Sequence, residues 1–369
     1  MRLFTFLFVF VSSFSLFADQ LVYVSARGDK TLDVYSFKAE SAEFKLLKKF
    51  PLKGAPGNSV LSPDEKYIYV SVRGGTRKAP EIGIQTLEIL DDGLVKSVGF
   101  GKTPQFCGFL AIDSKGKYLF SSHYREGRIS SYKLQDGIYT GKVMEDFETD
   151  SRAHCIRLDR TDSFAYVPHT APNKVYQFSF QNEKLTKIGK GFVDGPAVDQ
   201  RYHEPRHLVF HPTQNFIYTS NERGGGLSFW TYDAQGSLTL KQTVCTLPED
   251  NNEKFAASDI TISKDGRFVY VANRDNLNKK GYKSKDCLAA YELDMETGEI
   301  LKKAGSFAVG KHPRCTRIDK TGNFLFGPGV NDNSITVFKR NQETGMLEKL
   351  KAYYRSKHPM WIEVIQKPN

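Results

Sequence analysis

The chain has 369 residues, of which 40% are hydrophobic, 25% charged and 13% aromatic, a balance that excludes disorder, collagen and coiled coil. Its 52 Lys and Arg against 42 Asp and Glu leave a net charge of +10, which favours anionic partners. The basic residues are scattered without a block of five or six, so nucleic acid is not expected.

Met1-Arg2 opens the chain, an apolar run covers residues 3–17, and Ala18 follows. A positive start, a greasy stretch and a small residue read as a secretory signal peptide over residues 1–18. The remaining residues 19–369 are expected to be exported, periplasmic or extracellular. The run is short of the ~18 residues of a bilayer span, so no integral membrane segment is expected after processing. Leu16 is a poor cleavage residue at its place, which leaves the cut site open.

A short aromatic or aliphatic phrase then recurs. Its copies open at Leu21, Tyr67, Tyr118, Phe164, Phe216, Phe268 and Phe324, at spacings of 46, 51, 46, 52, 52 and 56 residues. Before most copies stands an alternating strand and a polar turn, such as Lys264-Asp265-Gly266 or Lys320-Thr321-Gly322, whose residues accept positive φ. After each comes a loop, a third strand, another polar turn and a last short strand. Four antiparallel strands in each of seven repeats predict an all-β, seven-bladed β-propeller. The first copy lacks an inner strand, and the tail from Pro359 to Ile365 resembles one. The C-terminal strand should therefore join the N-terminal blade and close the ring, removing open edges.

The five cysteines are Cys107, Cys155, Cys245, Cys287 and Cys315. No CxxC pair supports zinc, an odd number leaves a thiol unpaired within the chain, and most are expected to be small buried hydrophobes.

Register on the phrase selects two columns. Ten residues earlier, where inner strands begin, stand Gly57, Gly108, His154, Arg206, Ser258, Arg314 and, in the tail, Met360. Six residues later, where second strands end, stand Arg27, Arg73, Tyr124, Thr170, Glu222, Arg274 and Val330. In an up-and-down meander both positions lie at the same edge of the sheet. One mouth of the ring should gather these side chains, and the turns of the opposite mouth show no such convergence. So many arginines imply a bound carboxylate or phosphate, or ion pairs between blades. His154 near arginines should stay neutral and could move a proton. Glu222 could orient it, pair with Arg274 or act as base itself. His123, His169, His203 and Glu204 lie nearby, but no HxH or HxxxH spacing supports a metal.

These stretches also resemble a family. Pro205-Arg206-His207 running to Asn221-Glu222, Asp265-Gly266-Arg267 running to Asn273-Arg274, and Pro313-Arg314 are similar to the seven-bladed propeller lactonases, which include a bacterial 6-phosphogluconolactonase and a fungal carboxymuconate cyclase. The resemblance implies a catalytic set of His154, Arg206, Glu222 and Arg274; Arg314, Arg73 and Arg27 of the columns, with His207, are expected to bind substrate. It implies hydrolysis or cyclisation of an anionic lactone, or binding of a related organic acid, by a monomer with no metal or organic cofactor. The sequence departs from the family where Ser151-Arg152-Ala153-His154 replaces a His-containing phrase. The alternative is a non-catalytic exported propeller that binds a protein, glycan or small organic acid at the same mouth. A quinone-binding propeller is disfavoured, because only Trp230 and Trp361 are present.

Overall fold

The computed structural model describes residues 19–76, 79–197, 202–252, 254–277 and 279–367; the leader expected over residues 1–18 lies outside them. The strands form five four-stranded sheets and one of eight. A single pairing, Arg223 with Ala256, joins the two halves of the larger sheet, which are otherwise separate blades. The architecture is thus the seven-bladed propeller. Blade one runs outward as Pro359–Gln366, Gln20–Ala26, Thr31–Lys38 and Glu43–Pro51. The tail pairs Ile365 with Leu21 and Ile362 with Val24, so the ring closes as expected.

The recurring phrase is the second strand of each blade. In a propeller this strand is covered on both faces by neighbouring blades, which is why it reads as a continuous apolar run. Leu21, Val22, Tyr23 and Val24 are fully buried, as are Leu119 and Phe120. A tie repeats between blades. The Tyr two residues into the phrase donates its hydroxyl hydrogen to a glycine carbonyl in the outer turn of the next blade: Tyr23 to Gly93, Tyr69 to Gly137, Tyr166 to Gly236, Tyr218 to Gly298 and Tyr270 to Gly345. These glycines have positive φ. A Cβ on Gly345 would also meet Phe268 at 2.3 Å, so only glycine lets the turn approach.

The turn between inner and second strands is stapled from one position. Asp113, Asp159 and Asp319 accept the N–H of Tyr118, Phe164 and Phe324; Ser62 and Ser263 do the same for Tyr67 and Phe268. At the other end the inner strands leave the ladder. Their register shifts between Pro56 and Ser59, Pro205 and His207, and Ala257 and Ile260. Arg152, Glu204, His312 and His358 take positive φ, each two residues before a column residue. The backbone therefore turns at this end and delivers His154, Arg206, Arg314 and Met360 to the axis. All five cysteines are free thiols, buried except for half-buried Cys245.

Candidate active site

The strand starts surround a cavity of about 520 Å³ on the ring axis. Its walls come from blades one to five and seven, and include Arg27, Arg73, Tyr124, His154, Arg206, Glu222 and Arg314. The two sequence columns thus meet around one opening. Thr170, Ser258 and Arg274 do not line it; Arg274 stands directly behind Glu222.

Arg206 is 1% exposed. One Nη1 hydrogen goes to the Ser258 carbonyl at 2.5 Å and Nη1 also lies 3.2 Å from His207 Nε2. Its Nε is buried, 3.7 Å from Glu222 Oε1, and makes no hydrogen bond. Glu222 Oε1 accepts from Arg274 Nη2 at 2.6 Å, and the same Nη2 donates to the Ala257 carbonyl at 2.8 Å. Burial opposes ionisation of Glu222, but the Arg206 and Arg274 guanidiniums outweigh it and pull its pKa down to about 2. Glu222 is therefore an ionised clamp on two arginines, a poor proton acceptor at neutral pH.

Arg314 differs. It is half-buried on the cavity wall, and among the described residues it makes no hydrogen bond or ion pair. Burial and the neighbouring Arg274 charge lower its pKa to about 10. Arg27 and Arg73 are exposed at the rim, where Arg73 lies over the Phe106 ring at 5.4 Å. Against these cations the wall offers two carboxylates, Glu126 and Glu222.

His154 is half-buried, with its ring edge-on to Tyr124 at 5.0 Å and to His207 at 4.9 Å. Burial first, then the Arg206 charge, hold its pKa well below the usual imidazole range, so the ring is neutral at pH 7. His207, expected to bind substrate, lines the cavity beside His154. It is 4% exposed, with Nδ1 2.7 Å from Asp259 Oδ1 and Nε2 3.2 Å from His154 Nδ1. Asp259 and His312 are the residues the columns missed. Asp259 follows Ser258 in the column beside it, where His207 also stands; extending the register by one residue would have found both. His312 lines the cavity, and burial together with Arg274 lowers its pKa to about 4.

The opposite end of the channel corrects one expectation. A second cavity of about 610 Å³ there gathers Arg157, Arg317, Lys264 and Lys320. These cations come from inner-strand and turn positions beyond the two columns, and the carboxylates beside them, Glu65, Asp113, Asp319 and Glu363, match them in number.

The sequence profile of the family described as "Lactonase, 7-bladed beta-propeller" matches residues 60–364. A 6-phosphogluconolactonase of Pectobacterium carotovorum is 26% identical over 359 residues, covering 94% of this chain and 99% of that protein. One of Yersinia pestis is 26% identical over 347 residues, covering 94% and 98%. Among solved structures, a periplasmic gluconolactonase of Pseudomonas aeruginosa is 20% identical, with a TM-score of 0.83 over 95% of this chain and 99% of that one.

Proposed function

The chain belongs to the seven-bladed β-propeller lactonase family, and from that premise we propose that it opens an anionic lactone with water in the cavity walled by His154, Arg206 and Arg314. The observation that carries the reading is the unpaired, half-buried guanidinium of Arg314 beside a neutral imidazole. A buried cation without a partner is costly, and a ligand carboxylate or phosphate relieves that cost.

In the reaction, water adds to the lactone carbonyl carbon while the His154 imidazole takes its proton. The carbonyl oxygen becomes an oxyanion facing the Arg206 and Arg314 guanidiniums, whose preorganised charge stabilises it. The ring carbon–oxygen bond then breaks. The leaving ring oxygen recovers the proton from His154, giving a hydroxy acid with one water consumed. Glu222 and Arg274 hold Arg206 in place, and Arg27 and Arg73 draw the anion to the rim. Relatives named 6-phosphogluconolactonase support a sugar lactone bearing a negative group. Export by the leader would put the enzyme where sugar phosphates are scarce, so a carboxylated lactone belongs in any test.

The experiment is a panel of aldonolactones, phosphorylated aldonolactones and muconolactones, assayed for ring opening and for ring closure. Turnover that falls at least about a hundredfold in Arg206→Ala, with the fold intact, supports the reading. Absence of turnover across the panel, with binding of the open-chain acids retained, would instead favour a non-catalytic binding propeller.

A further inference from the structure

The cavity-wall His207 and the Asp259 behind it are a buried polar pair that the reaction above does not use. Asp259 is 2% exposed. Its Oδ2 accepts the Thr316 N–H at 2.8 Å and its Oδ1 faces His207 Nδ1 at 2.7 Å. His207 Nε2 faces two nitrogens, Arg206 Nη1 and His154 Nδ1, each at 3.2 Å.

The protons along these contacts can be assigned by elimination. A guanidinium has hydrogens to give and no lone pair to receive. Arg206 Nη1 carries two: one goes to Ser258, and the other points at His207 Nε2. That nitrogen must therefore present its lone pair, and the His207 proton sits on Nδ1, donated to Asp259. His154 Nδ1 faces the same lone pair, and two lone pairs at that distance would repel. It must carry a hydrogen as well. The remaining lone pair of His154 is then on Nε2. That atom has no hydrogen-bond partner among the described residues and is not among the buried unsatisfied atoms, so it opens on the cavity.

We propose that Asp259 and His207 are positioning residues that fix the tautomer of His154, so that its Nε2 is the base presented to substrate. Asp259 sets the His207 proton, and His207 with Arg206 sets the His154 proton. When His154 Nε2 takes the proton of water, the new positive charge is shared through the Nδ1–H bond with His207 and faces the Asp259 carboxylate beyond it. Blade six lines no part of the cavity, yet it supplies this carboxylate. The inference rests on the lactonase reading only for what the base does; the tautomers follow from the hydrogen-bond partners alone.

Asp259→Asn is the discriminating change. An amide has one acceptor oxygen, and Thr316 N–H and His207 Nδ1–H would compete for it. If the oxygen stays with Thr316, the amide N–H₂ faces His207 Nδ1, the His207 proton moves to Nε2 and displaces the Arg206 Nη1 hydrogen that pointed there, and His154 turns its proton toward the cavity. Proton-detected ¹⁵N spectra of histidine-labelled protein read these states, with the two rings assigned by their loss in His154→Gln and His207→Gln. Both rings should carry the Nδ1 proton in the wild type, and His207 should change to Nε2–H in Asp259→Asn. On any lactone turned over by the wild type, kcat of Asp259→Asn should fall on the order of 10⁴-fold with KM within about threefold, as for loss of the correct tautomer. A wild-type His207 protonated on Nε2, or an Asp259→Asn kcat near that of the wild type, would overturn the proposal. The wild-type spectrum needs no variant, so it decides even if Asp259→Asn does not fold. The derived tautomers without turnover on any lactone would sustain the arrangement and sink the lactonase reading alone.

Discussion

The two ends of the channel are built from the same inner strands and carry comparable numbers of cations, yet one end matches them in number with carboxylates and the other does not. At the strand-turn end, Arg317 donates to Glu363 at 3.3 Å and to the Ile362 carbonyl at 3.0 Å, and lies over Trp361 at 5.3 Å. Lys320 pairs with Glu65 at 2.5 Å. Asp113 and Asp319 are consumed in capping turn N–H groups. At the strand-start end, Glu222 alone clamps Arg206 and Arg274, while Arg314 is left over. Arginine at a propeller axis is therefore no sign of a site by itself. The sign is a mouth whose cations outnumber the carboxylates beside them.

The largest test of this contrast is a matched pair, Arg206→Met and Arg317→Met. Arg206→Met should reduce kcat/KM by about 10²–10³ with little loss of melting temperature, because Arg274 still holds Glu222 and one of several like charges is gone. Arg317→Met should leave turnover per folded molecule unchanged and cost about 3 kcal/mol or more of stability in denaturant melts, because Glu363 is then buried without its cation. Equal effects of the two changes on both readouts would erase the distinction between the ends.

Acid should sharpen it. His312 beside the cavity and His169 in blade four are both depressed to about 4, first by burial. Between about pH 4 and 6.5 the unfolded chain binds protons there that the folded chain refuses, so stability falls as pH drops through that window. Each group contributes about 3 kcal/mol at the lower end, at about 1.4 kcal/mol per unit. Glu222 adds a second loss, present above about 4.5 and removed as pH falls toward 2. Melting temperatures measured from pH 8 to 4 should decline from about 6.5 downward, and His312→Gln should flatten the decline. An unchanged slope in that variant would mean that neither burial nor the arginines around the cavity depress His312.

The ring and its closure were legible in the sequence because each blade repeats one demand, a second strand covered on both faces and followed by turn glycines. The columns of His154, Arg206 and Arg314 were legible because they share a register. Asp259 stands one register position past Ser258, and only that register could reach it, since the bulge between Ala257 and Ile260 breaks the two-residue alternation that would assign it a face. His207 was legible as a cavity residue from its place beside Arg206; the chain order hides its bond to Asp259. The neutrality of the far end was hidden too. Its key carboxylate, Glu363, arrives from the tail, 46 residues beyond Arg317, and only ring closure brings the two together.

The smallest expected effect concerns the rim. Arg27 and Arg73 are exposed, and exposed charges are screened by water and salt. Arg27→Ala and Arg73→Ala should each raise KM for an anionic lactone by about 1.4- to fivefold, corresponding to the ~0.2–1 kcal/mol of a surface charge pair, with kcat unchanged. The effect should shrink as ionic strength rises above ~0.15 M, where the Debye length falls below about 8 Å. Arg206, shielded from bulk ions, should lose no such share of its effect in salt. If Arg73→Ala instead costs as much as Arg206→Ala and the loss persists in high salt, the bound anion reaches the rim. The substrate would then be longer than a simple sugar lactone, with a second negative group lying over Phe106.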